Sequence, residues 1–270
     1  MQLYMLVRIV DMKKSIKFLI MNIGNPSLER AQKQVEWIKN RDEDVFFLTE
    51  TKNSKGCNYI ANSFSCSKNL LNLNNVELNV SFPKSITGDY GVMCISKYQI
   101  VSSNLPFGVE NQYHCRYLEN DISIDDEFLK TVSLYVPSRD SSYEKIIRKK
   151  NFLELTLENI KRIGNIPTII CGDLNIIDRN HIPSYSSFKK WEYEFYDNLV
   201  DIGFIDLYRY CHPQKNEYSW VGRTGDGYRY DYCFVSKSLS NRIIDCRFVH
   251  ETRNNKLTDH SALVVEMEIV

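Results

Sequence analysis

Seven polar side chains stand where apolar runs begin or end: Asn22, Glu50, Asp173, Asn175, Asp231, Asp259 and His260. The most telling run is "IICGDLNII", residues 169–177, a strand-like apolar stretch with Asp173 and Asn175 in its middle. An unpaired carboxylate in an apolar interior is costly, so such a strand must end at something that rewards the charge. Singly, aspartate and asparagine are ordinary turn and cap formers. Seven at equivalent places imply convergence. Crowded carboxylates raise one another's pKa unless a cation stands among them. Oxygen donors without a Cys or His cluster specify a hard ion, Mg²⁺ or Mn²⁺, whose common work is phosphate chemistry.

The elements that must position these residues can be read from periodicity. "IKFLIMN" reads as a strand, "LERAQKQVEWIKN" as a helix with Leu28, Ala31, Val35 and Ile38 on one face, and "DVFFLTE" as a second buried strand. This β-α-β unit delivers Asn22 and Glu50 at the carboxyl ends of its strands. Residues 52–89, rich in Asn and Ser, read as loops and edge strands; "YGVMCISK" and "FLKTVSLYVP" read as strands, the second stopped by Pro137. Ile146, Leu153, Leu157 and Ile160 recur at helical intervals up to Gly164, a natural terminator. An irregular segment after Asn175, a helix "WEYEFYDNLVDIGF", a strand "YRYDYCFVS" and an alternating "DHSALVVEMEIV" complete the chain. Without linker, repeat or low-complexity tract, residues 1–270 read as one α/β domain with its site at strand ends.

Composition bounds the function. Net charge is zero, which argues against promiscuous polyanion binding but leaves room for a local basic groove. Eight cysteines lie without any CxxC pair, several inside apolar runs, and read as reduced core thiols of a cytoplasmic protein. "MKKSIKFLIM" imitates a signal peptide, but Lys17 and Asn22 break the apolar run and a first strand is the better reading. Residues 1–14 are expected to be a disordered or non-native leader, with Met1 and Met12 both open as the start. No stretch approaches the length of a membrane span.

In order along the chain, "FLIMN", "DVFFLTETK", "YGVMCISK", "LYVPSR", "CGDLNI", "GFIDLYRYCHPQKNEYSWVGR", "YRYDYCFVSKSL" and "LTDHSALV" resemble the endonuclease/exonuclease/phosphatase superfamily. The SW and RYDY elements resemble its exonuclease III type of abasic-site endonuclease. The resemblance implies a four-layered α/β sandwich, two mixed β-sheets packed face to face and flanked by helices. It implies a Mg²⁺-dependent phosphodiesterase (Mn²⁺ as the alternative ion) that acts, as a monomer, on duplex DNA at abasic sites, 3′ ends or both. RNA, a phosphorylated small molecule or a phospholipid headgroup is the alternative substrate, and an inactive binding module the third reading.

Carried across by motif, Glu50, Asn22 and Asp259 would hold the metal. Asp173 would orient or deprotonate the attacking water, and Asn175 would hold that aspartate or the phosphate. His260 would face the phosphate with Asp231 as its carboxylate partner, and Tyr135 would meet the phosphate with a phenol. Trp220, Tyr228 and Tyr230 fall where relatives place an aromatic pocket, and aromatic faces suit unpaired bases. Arg116, Arg139 and Arg229, with Lys52, Lys55 and Arg223, are the basic candidates for phosphate. Met21 and Thr49 depart from the family's usual residues, and the connection after Asn175 is shorter, which bears on DNA engagement.

Overall fold

The computed structural model describes residues 14–65, 78–125 and 127–269; the expected leader lies almost wholly outside them. The first half runs β1 (Ser15–Asn22), α1 (Leu28–Lys39), β2 (Val45–Thr51), α2 (Lys55–Ser65), β3 (Asn79–Ser81), β4 (Gly91–Ser96), β5 (Gln99–Asn104), β6 (Tyr117–Ile124) and β7 (Glu127–Tyr135). The second half runs α3 (Tyr143–Ile163), β8 (Thr168–Asp173), α4 (Lys190–Asp201), β9 (Phe204–Asp206), α5 (Leu207–Cys211), β10 (Trp220–Val221), β11 (Gly227–Tyr228), β12 (Asp231–Ser236), β13 (Ile243–Val249), α6 (Glu251–Asn254) and β14 (Ala262–Glu268).

Two six-stranded sheets result, ordered β13-β14-β1-β2-β4-β3 and β5-β6-β7-β8-β12-β9. Both are mixed, because β1 runs parallel to β2 and β7 parallel to β8 while the other pairs are antiparallel. The period of two along each strand explains the layering. Phe18 and Ile20 of β1 meet Ile169, Cys171 and Cys233 between the sheets, while Leu19 and Met21 face outward onto Ala31 and Val35 of α1. On the far side, Val132, Leu134 and Ile170 pack under Phe152, Leu153 and Ile160 of α3 and Phe195 of α4. Helix, sheet, sheet and helix make the four layers expected.

Two local readings are corrected. Leu28 is exposed, and the buried face of α1 instead includes Gln34, whose amide donates to the Ile23 and Leu257 carbonyls at 3.0 and 2.8 Å. Residues 55–65 form a helix rather than a loop. Cys57, Ile60, Ala61 and Phe64 are its buried face, and Gly56 lets it press on the Pro26 carbonyl, which a Cβ would meet at 2.0 Å. Among the described residues no helix is long and apolar enough to cross a membrane.

Candidate functional site

The carboxyl ends of β1, β2, β7 and β8 and the amino end of β12 come together at one pole of the molecule. Asp173 closes β8 and pairs in register with both Tyr135 at the end of β7 and Asp231 at the start of β12. Gly172 permits this arrangement: its φ is +146°, and an added Cβ would lie 1.9 Å from the Leu134 carbonyl oxygen. Two of the predicted site residues have left-handed backbones, Glu50 at φ +56° and Asn175 at φ +48°, a conformation that persists in non-glycine residues only where the surroundings over-determine it. For Glu50 the cause is a register shift between Thr49 and Thr51 against β4. The extra residue of such a bulge is re-aimed out of the ladder.

Asp173 is buried at 1 % exposure and fully oriented: the Asn22 amide donates to its Oδ2 at 2.9 Å and the Asn175 N–H to its Oδ1 at 2.9 Å. Burial, compounded by the charge on Asp231, pushes its pKa up to about 8. His260 Nδ1 lies 2.7 Å from Asp231 Oδ2, so Nδ1–H donates and Nε2 points into the site, 3.4 Å from the Asn22 amide nitrogen. Burial alone would lower the histidine; the Asp231 charge and hydrogen bond override it and raise the pKa to about 9. Asp231 is itself placed by Ser219, whose hydroxyl accepts the Tyr230 and Asp231 N–H groups at 2.9 and 3.1 Å.

Glu50 Oε1 accepts the Tyr135 hydroxyl at 2.7 Å, and its other oxygen has no donor among the described residues. Burial and the Glu50 charge raise the Tyr135 phenol, keeping it a donor. Asp259 Oδ2 accepts Trp220 Nε1–H at 2.9 Å. Asp259 is exposed; against some desolvation, the His260 charge and this bond hold it below the usual carboxylate range. Asp231 Oδ1 is buried with no donor among the described residues.

A hard cation fits this donor set. Asp173, Asp231 and His260 have ligand-type atoms all within 4.8 Å of one another, yet the histidine and Asp231 are already bonded to each other. The free oxygen of Glu50 is the better anchor. Asn22 is less available than the sequence implied, because its Oδ1 accepts the Gly24 N–H at 2.9 Å while its nitrogen serves Asp173.

The basic candidates fare differently. Arg229 is fully buried and holds Asp206 and Asp178 at 2.6 to 3.1 Å, with its guanidinium 4.2 Å from the Tyr232 ring. It faces no ligand. Arg116, 2 % exposed, grips Asp89 with two 2.7 Å bonds, donates to the Tyr135 carbonyl at 3.1 Å and lies over the Tyr135 ring. It supports Tyr135 from behind and is not presented to solvent. Arg139 is held by Glu192 and the Ser187 carbonyl, and its side chain lines a polar pocket of about 140 Å³ beside Asn175.

Tyr228 and Tyr230 line the same pocket and stack at 5.1 Å, with Trp220 5.6 Å from Tyr228. Sequence reasoning missed Tyr185, stacked on Tyr228 at 4.3 Å, together with Phe188, Ser219, Asp89 and Lys149. Of these, only Lys149 carried a usable signal, since it falls at helical spacing with the buried Phe152 and Leu153 of α3.

An endonuclease/exonuclease/phosphatase family model matches residues 21–260. An exodeoxyribonuclease of Bacillus subtilis (strain 168) is 25 % identical over 256 residues, which cover 85 % of this chain and 92 % of the relative. An AP endonuclease from Archaeoglobus fulgidus superposes with a TM-score of 0.76 at 20 % identity, over 94 % of this chain and 100 % of that one. A 3′ phosphatase from Neisseria, solved bound to a product DNA hairpin, superposes with a TM-score of 0.73 at 18 % identity, over 94 % of this chain and 100 % of that one.

Proposed function

The chain belongs to the endonuclease/exonuclease/phosphatase family, and from that premise we propose that it is a divalent-metal-dependent nuclease hydrolysing DNA phosphodiesters, by incision at abasic sites or removal of 3′ ends. The single observation that carries the reading is the Asp173 carboxylate, buried and oriented by two donors, facing a His260–Asp231 pair across the β8–β12 register. A base on one side and an imidazolium on the other suit in-line attack by water on phosphorus.

In this reading Asp173 holds the attacking water and takes its proton, with Asn22 and Asn175 fixing the carboxylate. His260, charged through Asp231, donates from Nε2 to a non-bridging phosphate oxygen, where negative charge grows. Tyr135 donates to Glu50 in the free protein and is positioned to turn toward the phosphate. Glu50, with Asp259 and Asn22 nearby, would hold Mg²⁺ or Mn²⁺, which when bound supplies Lewis-acid stabilisation of the phosphate and the leaving oxygen. Tyr228, Tyr230 and Trp220 offer ring faces to unpaired bases or a base-free sugar. Arg139 brings its guanidinium to the wall of the polar pocket, while Arg116 and Arg229 act as scaffold.

Names of relatives support the substrate: one is an exodeoxyribonuclease, another an AP endonuclease, and a third was solved with DNA. Seven free cysteines among the described residues suit a reducing compartment such as the cytoplasm, and we expect a monomer. The test is a substrate panel of abasic-analogue duplex, recessed-end duplex, single-stranded DNA and RNA, each with Mg²⁺ and with chelator. Metal-dependent cleavage of the DNA duplexes, reduced at least ~10²-fold by Glu50→Gln, is expected. Cleavage that survives chelation, or an undiminished Glu50→Gln rate, would overturn the assignment.

A further inference from the structure

We propose that Lys149, in the second turn of α3, is a positioning residue for the reaction: it sets the place of Asn175 by gripping that residue's backbone carbonyl. The inference rests on the nuclease reading above and adds to it a residue that lines the polar pocket beside Asn175 and acts through its neighbours. Lys149 is 1 % exposed, and its Nζ donates to the Asn175 carbonyl oxygen at 2.6 Å and to Glu192 Oε1 at 2.7 Å.

A lysine so deeply enclosed is costly unless its charge is paired and its protons are used. Its pairing is specific. Glu192 accepts Lys149 and Arg139 on one side and caps the start of α4 through the Lys189 N–H at 2.9 Å on the other. Arg139 lies just beyond β7, the strand that ends in Tyr135, so the triad ties the segment after β7, the segment after β8 and α4 into one unit.

Asn175 is what that unit holds. Its left-handed backbone, φ +48°, is uphill for a residue with a side chain and needs outside restraint. Two of its donors are committed: its N–H serves Asp173 Oδ1 at 2.9 Å and one amide N–H serves the Val136 carbonyl at 3.0 Å. The carbonyl, which the left-handed turn directs away from both, is taken by Lys149. Removing the ammonium releases the Asn175–Ile176 peptide, and with it the restraint on the Asn175 backbone angles that aim the preceding peptide's N–H at Asp173. The base then loses orientation, though every group that touches substrate is still present.

A structural lysine and a positioning lysine predict different kinetics. Lys149→Met should lower kcat roughly 10- to 100-fold on the abasic-analogue duplex with Mg²⁺ while KM stays within about threefold. Lys149→Arg, which keeps a cationic donor, should recover most of the rate. Asp173→Asn supplies the decisive background, since there the base whose orientation depends on Lys149 is gone; adding Lys149→Met to it should cost less than about threefold. All rates are taken well below each variant's melting temperature.

The proposal is overturned if Lys149→Met cleaves at the wild-type kcat, if it loses the same factor in both backgrounds, or if Lys149→Arg is as slow as Lys149→Met although folded. If the wild-type protein cleaves no DNA, the nuclease reading fails first, and that outcome is distinguishable from all three.

Discussion

At the scale of single residues, the site pairs a charge the free protein resists, on Asp173, with one it favours, on His260. Asp173 has its pKa raised to about 8 by burial and by Asp231, against an unfolded value of 3.8. A raised carboxyl contributes stability that is complete below the unfolded value and lost as pH climbs through the folded one. His260 behaves in the same direction, its contribution complete below 6.5 and lost as pH passes about 9. The metal-free protein should therefore lose melting temperature steadily between pH 6.5 and 9, and Asp173→Asn should flatten that loss and melt higher than wild type at pH 9. Thermal scans in chelator check this; an Asp173→Asn protein that melts lower than wild type at pH 9 would contradict the stated electrostatics. Asp173, Asp231 and His260 were legible in the sequence because a charge beside an apolar strand is anomalous. Arg116 and Arg229 were not, because what makes each a buried prop is a carboxylate far away in sequence: Asp89 for one, Asp178 and Asp206 for the other.

At the scale of elements, strand ends determine what the side chains can do. β8 delivers Asp173 only because Gly172 adopts φ +146° against the Leu134 carbonyl. Gly172→Ala should destabilise the fold by ~3 kcal/mol or more, since it combines backbone strain with a clash against main chain that cannot rotate away. Urea unfolding measures it, and a midpoint equal to wild type would show that β7 and β8 can separate more easily than described. The bulge that turns Glu50 out of β2 is a second such device, and no sequence signal announces it. Helix α2 was hidden for a different reason. Its buried face at Cys57, Ile60, Ala61 and Phe64 has helical spacing, but Asn and Ser on the other positions give it the composition of a loop.

At the scale of the whole molecule, neither sheet owns the site. β1 and β2 of one sheet bring Asn22 and Glu50, and the turn before β14 brings Asp259 and His260; β7, β8 and β12 of the other bring Tyr135, Asp173 and Asp231. The four-layer packing was legible because alternate residues of β1 face two different cores, a pattern that requires cover on both sides. The closeness of the two sheets' polar ends was not, since it arises from loops whose register no periodicity encodes. Groups from both sheets act as one chemical unit. Single-turnover cleavage of an abasic-analogue duplex by Asp173→Asn, His260→Ala and the double variant tests it directly, with folding verified by melting. Each single change should cost roughly 10²- to 10⁴-fold, and the double should be no more than about tenfold slower than the slower single, because a unit once broken cannot be broken again. Losses that multiply fully, or single variants that cleave as the wild type does, would contradict it.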